Sequence, residues 1–350
     1  MKFMNSEILG VLLMYLLVVL LAIPLGRYIG KIFNYEPTWL DRLFNPIDNL
    51  FFKLSGINPK TEMTWKQHAI ALLTINFIWF LICMLILTNM SNLPLNPDNN
   101  PSMSGDLAFN TAVSFVTNTN LQHYSGESGL SYLGQLILML WQFISAGTGI
   151  AICAVVFAAM QSRTVATLGN FYSFFVRSCT RILFPIAVIV AITLVFNGVP
   201  MTFAGKDTIT TLQGDTVMVS RGPVAGFVAI KQIGTNGGGF FGPNSAHPFE
   251  NPNYFTNVVE TVSISLIPIA MIFALGYVLK RKKLANVIFG VMTAGFLLLC
   301  IPSIMNEMQG NKAIENMGIA QNMGSMEGKE VRFGSAASAY WAITTTTTSN

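Results

Sequence analysis

Six stretches of about 20 mostly apolar residues mark the chain, at roughly 8–26, 67–89, 130–160, 182–198, 255–279 and 285–305. Each is long enough to cross the hydrocarbon core of a bilayer as a helix. The first is flanked by Lys2 on one side and by Arg27 and Lys31 on the other, as a signal peptide would be. Its apolar run is long for a signal, however, and Pro24, Leu25 and Gly26 lead into basic residues rather than a small-residue cleavage site, so a retained helix is expected.

Between the spans lie shorter apolar pieces with a shared polar sequel. One runs from Gly105 to Val116 and is followed by Thr117, Asn118, Thr119 and Asn120. A second runs from Gly222 to Gly234 and continues as Thr235, Asn236, Gly237, Gly238 and Gly239. A third runs from Gly334 to Ile343 and gives way to the threonines 344–348, Ser349 and Asn350. The Thr-Asn or Ser-Asn pairs at 117, 235 and 349 recur 118 and 114 residues apart. That period is too long for a solenoid, and it suits a duplicated unit of helix, re-entrant loop and helix.

An apolar piece of about 11 residues reaches only ~16 Å as a helix, about half the hydrocarbon core. It cannot span, so its polar sequel must return to the side it came from. Asp106, Gly222 before Pro223, and Ser335 supply helix starts. The C-terminus of such a half-helix points its carbonyls toward the membrane centre, where a cation is favoured. The expected organisation is an N-terminal helix and cytoplasmic segment (1–66), a first unit (67–160), a second (176–280), an incomplete third (285–350) and no fourth.

Charge makes the membrane reading firm and orients it. Hydrophobic residues are 52% of the chain and charged residues only 10%, against about 25% charged in a soluble domain. So little charge cannot cover a water-facing surface. The net charge of +4 is small and scattered, which excludes a nucleic-acid surface. Segment 27–66 carries Arg27, Lys31, Arg42, Lys53, Lys60 and Lys66, segment 161–181 carries Arg163, Arg177 and Arg181, and 280–283 is entirely basic, whereas 91–128 has no Lys or Arg. By the positive-inside rule the basic segments face the cytoplasm, and the N-terminus and long loops lie outside. Cys83, Cys153, Cys179 and Cys300 sit in or beside apolar runs without CxxC spacing and read as packing thiols. His68, His123 and His247 are far apart and make no HExxH pattern.

The three sequels hold Thr, Asn, Gly and Ser and no carboxylate. Glycines let backbone carbonyls turn inward, and threonine hydroxyls add neutral oxygens. A ring of neutral oxygens can replace the hydration shell of a weakly hydrated cation such as K⁺; the lack of carboxylates argues against Ca²⁺ or Mg²⁺. Any one such run also reads as an ordinary turn or a small-residue packing patch; the threefold recurrence selects the filter. The chain has neither a GxxxxGK[ST] loop nor an Asp-Lys-Thr-Gly phosphorylation sequence, so no ATP site is expected and it is not by itself an enzyme.

The run from Ile233 through Gly234, Thr235, Asn236, the glycines 237–239, Phe240, Phe241 and Gly242 to Pro252 resembles the potassium-binding A subunits of the Kdp potassium-transporting ATPases. Ser114 to Asn120, with Gln122, is similar to the same family, and the likeness covers the whole chain. The resemblance implies an all-α polytopic membrane protein of the K⁺ transporter superfamily, built of helix–pore loop–helix units with one extra N-terminal helix. It implies K⁺ as the transported ion, a bacterial inner membrane, and a P-type ATPase B subunit with C and F subunits as partners. By position it assigns ion binding to Thr117, Asn118, Thr119, Asn120, Gly234, Thr235, Asn236, Gly237, Gly238, Gly239, Thr347, Thr348, Ser349 and Asn350. Gln122 would support the filter, though it also reads as a plain polar loop residue. Lys231, inside the second short helix, must be paired or snorkel, with either a structural role or one in tuning the field beside the pore. Asn251, Pro252, Asn253, His247 and Glu250 would shape the outer vestibule. Family members have four pore loops; this sequence stops at Asn350 within the third and reads as a truncated copy.

Two rivals stand beside that reading. A stand-alone K⁺ channel or K⁺/Na⁺ symporter of the same superfamily would use the same loops without an ATPase. A membrane-embedded enzyme would need converging acids or bases, and the outer carboxylates Asp106, Glu127, Glu250 and Glu260 share no recurring motif.

Overall fold

The computed structural model describes residues 2–162 and 166–348, and only the backbone for residues 2–5. In chain order the helices are α1 (Lys2–Phe33), α2 (Asp41–Ser55), α3 (Trp65–Leu87), α4 (Gly105–Val116), the single turn α5 (Gly126–Gly129) and α6 (Tyr132–Gln161). There follow α7 (Phe171–Arg177), continued through a π-helical stretch Ser178–Leu183 into α8 (Phe184–Phe196), and a two-stranded hairpin of β1 (Asp207–Thr210) and β2 (Thr216–Val219). The chain ends in α9 (Val224–Ile233), α10 (Tyr254–Val278), α11 (Lys282–Gln309), the single turn α12 (Lys312–Glu315) and α13 (Gly334–Thr348). Among the described residues six helices are long and apolar enough to cross a membrane: α1, α3, α6, α7–α8, α10 and α11. These are the six spans expected, and the protein is an all-α polytopic membrane protein apart from the hairpin. The fourth span begins eleven residues earlier than its apolar run suggests, at Phe171, because the segment 171–181 is helical although it carries Arg177 and Arg181. Arg163, one of the basic residues that orient the chain, lies outside the described residues.

The chain forms two compact units, one of residues 1–35 with 253–350 and one of residues 36–252. In the first, α1 runs against α10. Gly26 makes this approach possible, since a Cβ there would lie 2.5 Å from the Ala270 carbonyl oxygen. Small residues replace bulk wherever membrane helices meet backbone to backbone. Val11, Met14, Cys300, Ala336 and Tyr340 make the unit's buried cluster. Tyr15 stacks on Phe296 and its hydroxyl meets Thr293 Oγ1 at 2.7 Å. The Glu7 carboxylate accepts from the Ala336 N–H at 3.1 Å, placing negative charge at the N-terminus of α13.

In the second unit α4 packs on α3 and α6, and α9 on α6 and α8. Trp141 Nε1 donates to the Trp79 carbonyl at 3.0 Å. Tyr132 Oη lies 2.6 Å from the Ala204 carbonyl and 2.9 Å from that of Arg221, tying the top of α6 to the hairpin segment. At its other end Arg181 is fully buried. Its Nε donates to Asp41 at 2.8 Å, its Nη2 to Asn45 at 2.6 Å and its Nη1 to Asp48. The π-helical stretch shifts the helix phase so that Thr180 reaches the same carboxylate, Asp48, at 3.2 Å. Burial pushes the Asp41 carboxyl up, but Arg181 and the Thr38 N–H outweigh it and leave the group below the usual carboxylate value.

Candidate functional site

Both half-helices of the second unit end in the same way. α4 is 12 residues long and α9 is 10, or about 18 and 15 Å, too short to cross. At the end of α4, Asn118 has φ +65°, and the next N–H, from Thr119, returns to the Ser114 carbonyl at 2.9 Å. At the end of α9, Thr235 has φ +58°, and the Asn236 N–H returns to the Lys231 carbonyl at 2.9 Å. A left-handed residue followed by a six-to-one bond is a Schellman cap. It turns each chain sharply off the helix axis and leaves following carbonyls free to be re-aimed. The caps equate Asn118 with Thr235. The Thr-Asn alignment, which pairs Thr117 with Thr235, is therefore one residue out of structural register. α4 starts at Gly105 after Ser104, so Asp106 lies in its first turn rather than at the cap; the Ser104 hydroxyl, then the Leu107 N–H, hold its exposed carboxyl below the usual range.

The two loops are bonded to each other. Asn118 Nδ2 donates to the Gly234 carbonyl at 3.2 Å, and Asn118 Oδ1 accepts from Asn236 Nδ2 at 2.5 Å and from Ser145 of α6 at 2.7 Å. Asn118 thus joins the first loop, the second loop and the long helix between them. Asn120 and Asn236 are fully buried, and Thr119 and Thr235 half-buried. Thr117 is exposed, its hydroxyl bonded to the Val113 carbonyl at 2.8 Å.

Beyond Gly237 three side chains clamp the returning backbone. Lys231 Nζ donates to the Gly238 carbonyl at 2.9 Å, to Asn244 Oδ1 at 2.9 Å and to Ser245 Oγ at 2.5 Å. Gln122 Oε1 accepts from the Gly239 N–H at 2.6 Å, and its amide donates to Tyr124 Oη at 3.1 Å. Glu250 Oε1 accepts from the Phe241 N–H at 2.8 Å, while Oε2 sits 3.7 Å from Lys231 Nζ. The Lys231 and Glu250 side chains are both 0% exposed, so each is the other's buried counter-charge. Gly238 has φ +70°, and a Cβ there would lie 2.3 Å from Gln122 Oε1 and 2.8 Å from the Asn120 carbonyl. Lys231 is therefore paired rather than snorkelling, and Glu250, expected only to shape a vestibule, belongs to the clamp. Nothing in the local sequence joins Glu250 to Lys231 across 19 positions; only the fold does. His247 stacks on the Phe241 ring at 3.7 Å between centroids, on the same return.

The third motif differs from expectation. Its half-helix was expected to end at Ile343, with the threonines in a non-helical return. Instead α13 continues to Thr348. Thr346, Thr347 and Thr348 turn their hydroxyls back onto carbonyls four residues earlier at 2.6, 2.8 and 2.6 Å, which satisfies them within the helix rather than toward a non-helical return. Thr347 and Thr348 line a cavity of about 220 Å³ in the first unit, together with Tyr15, Ser265, Thr293 and Tyr340. Ser349 and Asn350 lie outside the described residues. Among the described residues no group of three His, Cys, Asp or Glu side chains is placed to hold a metal ion.

A family model described as potassium-transporting ATPase A subunit matches residues 12–350. The chain is 63% identical to a potassium-transporting ATPase potassium-binding subunit of Flavobacterium johnsoniae over 98% of its own length and 60% of the relative's. It is 53% identical to the protein of that name in Phocaeicola vulgatus over 99% of the chain and 61% of the relative, and 42% identical to the one in Caldanaerobacter subterraneus over 95% and 60%. The chain thus spans about 60% of the length of the curated relatives it matches. On a match that runs through both capped half-helices and the clamp, the chain belongs to the potassium-transporting ATPase A subunit family.

Proposed function

We propose that this chain binds K⁺ from outside the cell in a pore-loop filter. It passes the ion through the membrane as the non-catalytic subunit of an ATP-driven uptake complex. The observation that carries the reading is the pair of half-helices, α4 and α9, with identical caps and a direct bond between their returns through Asn118. Two helix C-termini converging on one bonded pair of loops offer a cation the negative ends of two helix dipoles and a set of neutral oxygens. The filter residues of the two linked returns are Thr117 to Asn120 and Gly234 to Gly239. Gln122, Lys231 and Glu250 hold the second return in place. Because the Gly234 carbonyl already accepts from Asn118 and the Gly238 carbonyl from Lys231, the backbone ligands in that return are the carbonyls between them.

The energy comes from a P-type ATPase B subunit, with C and F subunits completing the complex in the inner membrane. The repeat units are 67–160, 176–280 and 285–350, behind an N-terminal helix whose start lies outside the cell. The test is growth of a bacterium lacking its own K⁺ uptake systems at micromolar K⁺. The complete gene product would be expressed with and without the ATPase subunits. Rescue only with the ATPase supports the proposal; rescue without it identifies a channel or symporter. No rescue despite normal membrane expression rejects the K⁺ reading.

A further inference from the structure

The helix α2 is not used by the filter, and its three faces differ sharply. Asp41, Asn45 and Asp48 fall on one face and are all bonded to the buried Arg181. Leu43, Ile47, Leu50 and Leu54 repeat at steps of four, three and four residues, which places them on a second face with Phe51 beside them. All five are exposed, Leu54 by 77% and Leu43 by 62%. The third face carries Arg42, Asn49 and Lys53. With its acids bonded to a buried arginine, the helix presents an apolar stripe and a separate face with two bases outward, and no free carboxylate among them.

Two observations place that apolar face level with lipid. Phe44 of α2 meets the Phe184 ring edge-on at 6.1 Å. Phe184 opens the helix α8, apolar but for Thr193, whose Phe184, Ile189, Ile192 and Phe196 are exposed along its length. The leucine stripe therefore starts where a lipid-facing surface starts. At the other end, the link 56–64 leads to Trp65, the exposed first residue of the span α3, with the Lys66 ammonium 5.7 Å from its ring centroid. Trp39, just before α2, is 79% exposed. Exposed tryptophans beside lysine at the mouth of a span mark the headgroup level.

We propose that α2 is an interfacial helix. It lies in the plane of the membrane surface with its leucine stripe among the upper acyl chains and Arg42 and Lys53 against anionic phospholipid headgroups. Its bond to Arg181 sets its height, so that this end of α7–α8 is keyed to the bilayer surface. A helix with a leucine face, basic flanks and a length short of a span has this location as its stable one.

The experiment uses the complete gene product, assembled with its partner subunits in bacterial membranes. Photoreactive p-benzoylphenylalanine is placed at position 50 and, separately, at position 49. Position 50 is expected to give phospholipid adducts and position 49, on the basic face, several-fold fewer. A product joined to another polypeptide at position 50, equal lipid yields at both positions, or no lipid adduct at either, each overturns the proposal. In vesicles of phosphatidylethanolamine and phosphatidylglycerol at 7:3, the adducts at position 50 are expected to favour phosphatidylglycerol over its share. Arg42→Gln with Lys53→Gln would cut that preference at least about twofold. An unchanged ratio would remove the headgroup part of the proposal.

Discussion

At the scale of single residues, the pair Lys231 and Glu250 carries a large predicted effect. Both are wholly buried, and the ammonium is held by three oxygens besides the carboxylate. Lys231→Met leaves Glu250 without a counter-charge in a dry site, and removing one partner of a buried pair costs about 3–5 kcal/mol. Lys231→Met combined with Glu250→Gln is expected to regain most of that loss, because the second change removes the orphaned charge. Thermal unfolding of the purified complex in detergent measures both, and a double variant no better than the single one would show the charges to be independent. Gly238→Ala acts differently: it puts a Cβ within 2.3 Å of Gln122 at a φ of +70°, so it strains the return while leaving the charges in place. The expected result is a several-fold rise in the K⁺ concentration needed for growth, with membrane abundance close to wild type. Much of this site was legible in the sequence, since glycine, threonine and asparagine after a short apolar helix announce a turn that must expose carbonyls. The register was not. A left-handed cap takes Gly or Asn, and β-branched Thr235 is strained there, so nothing in its residue type marked it as the cap and the matching Thr-Asn pairs misaligned Asn118 and Thr235 by one residue. Glu250 was not legible either, because a carboxylate beyond a loop carries no local signal of the lysine it will meet.

At the scale of elements, hydrophobic length predicted the six spans, but polar interruptions hid how they continue. Arg177 ends α7 and Arg181 lies in the π-helical stretch, so apolar content alone starts the span only after them, at 182. The π-helical stretch that orients Arg181 ends two residues before Pro185, which has no N–H and whose ring crowds the carbonyl four residues back, that of Arg181. A wider turn there relieves the clash and brings Thr180 and Arg181 onto the acids of α2. Arg181→Met is expected to destabilise the protein by about 3–5 kcal/mol, since Asp41 and Asp48 lose a shared buried partner. The same contact has a pH signature. The Asp41 carboxyl titrates below its ordinary value of 3.8 in the folded protein. Its contribution is therefore complete above that value and is lost as pH falls through the lowered folded one. Melting temperature should drop more steeply below about pH 4 in the wild type than in Asp41→Asn. Equal slopes would mean that Arg181 does not hold Asp41 in solution. The threonine run shows the opposite kind of error. A polar sequel after a short apolar piece suggested a helix end, whereas α13 runs on through all five threonines, with the last three hydroxyls satisfied one turn back.

At the scale of the whole molecule, the side of the membrane on which each loop lies follows from parity. Neither α4, at 12 residues, nor α9, at 10, can cross, so each must return to the side it entered from. Between the loop before α4 and the loop before α9 the chain crosses twice, through α6 and through α7–α8. Both loops therefore lie on one side, whatever that side is. The proposed exterior side rests on charge: 91–128 has no Lys or Arg, whereas 27–66 has six and 280–283 is wholly basic. Had α4 alone crossed, the hairpin of β1 and β2 would fall opposite the loop at 91–104. Reporter insertions after Asn99 and at Gly214 in the hairpin turn should report the exterior, and insertions at Gly56 and after Arg281 the cytoplasm. A split between Asn99 and Gly214 would make one half-helix a span and dismantle the paired filter. Agreement between them, with Gly56 and Arg281 on the other side, is what two converging half-helix C-termini require. Only loops that enter from the same surface can point their carbonyls at the same ion.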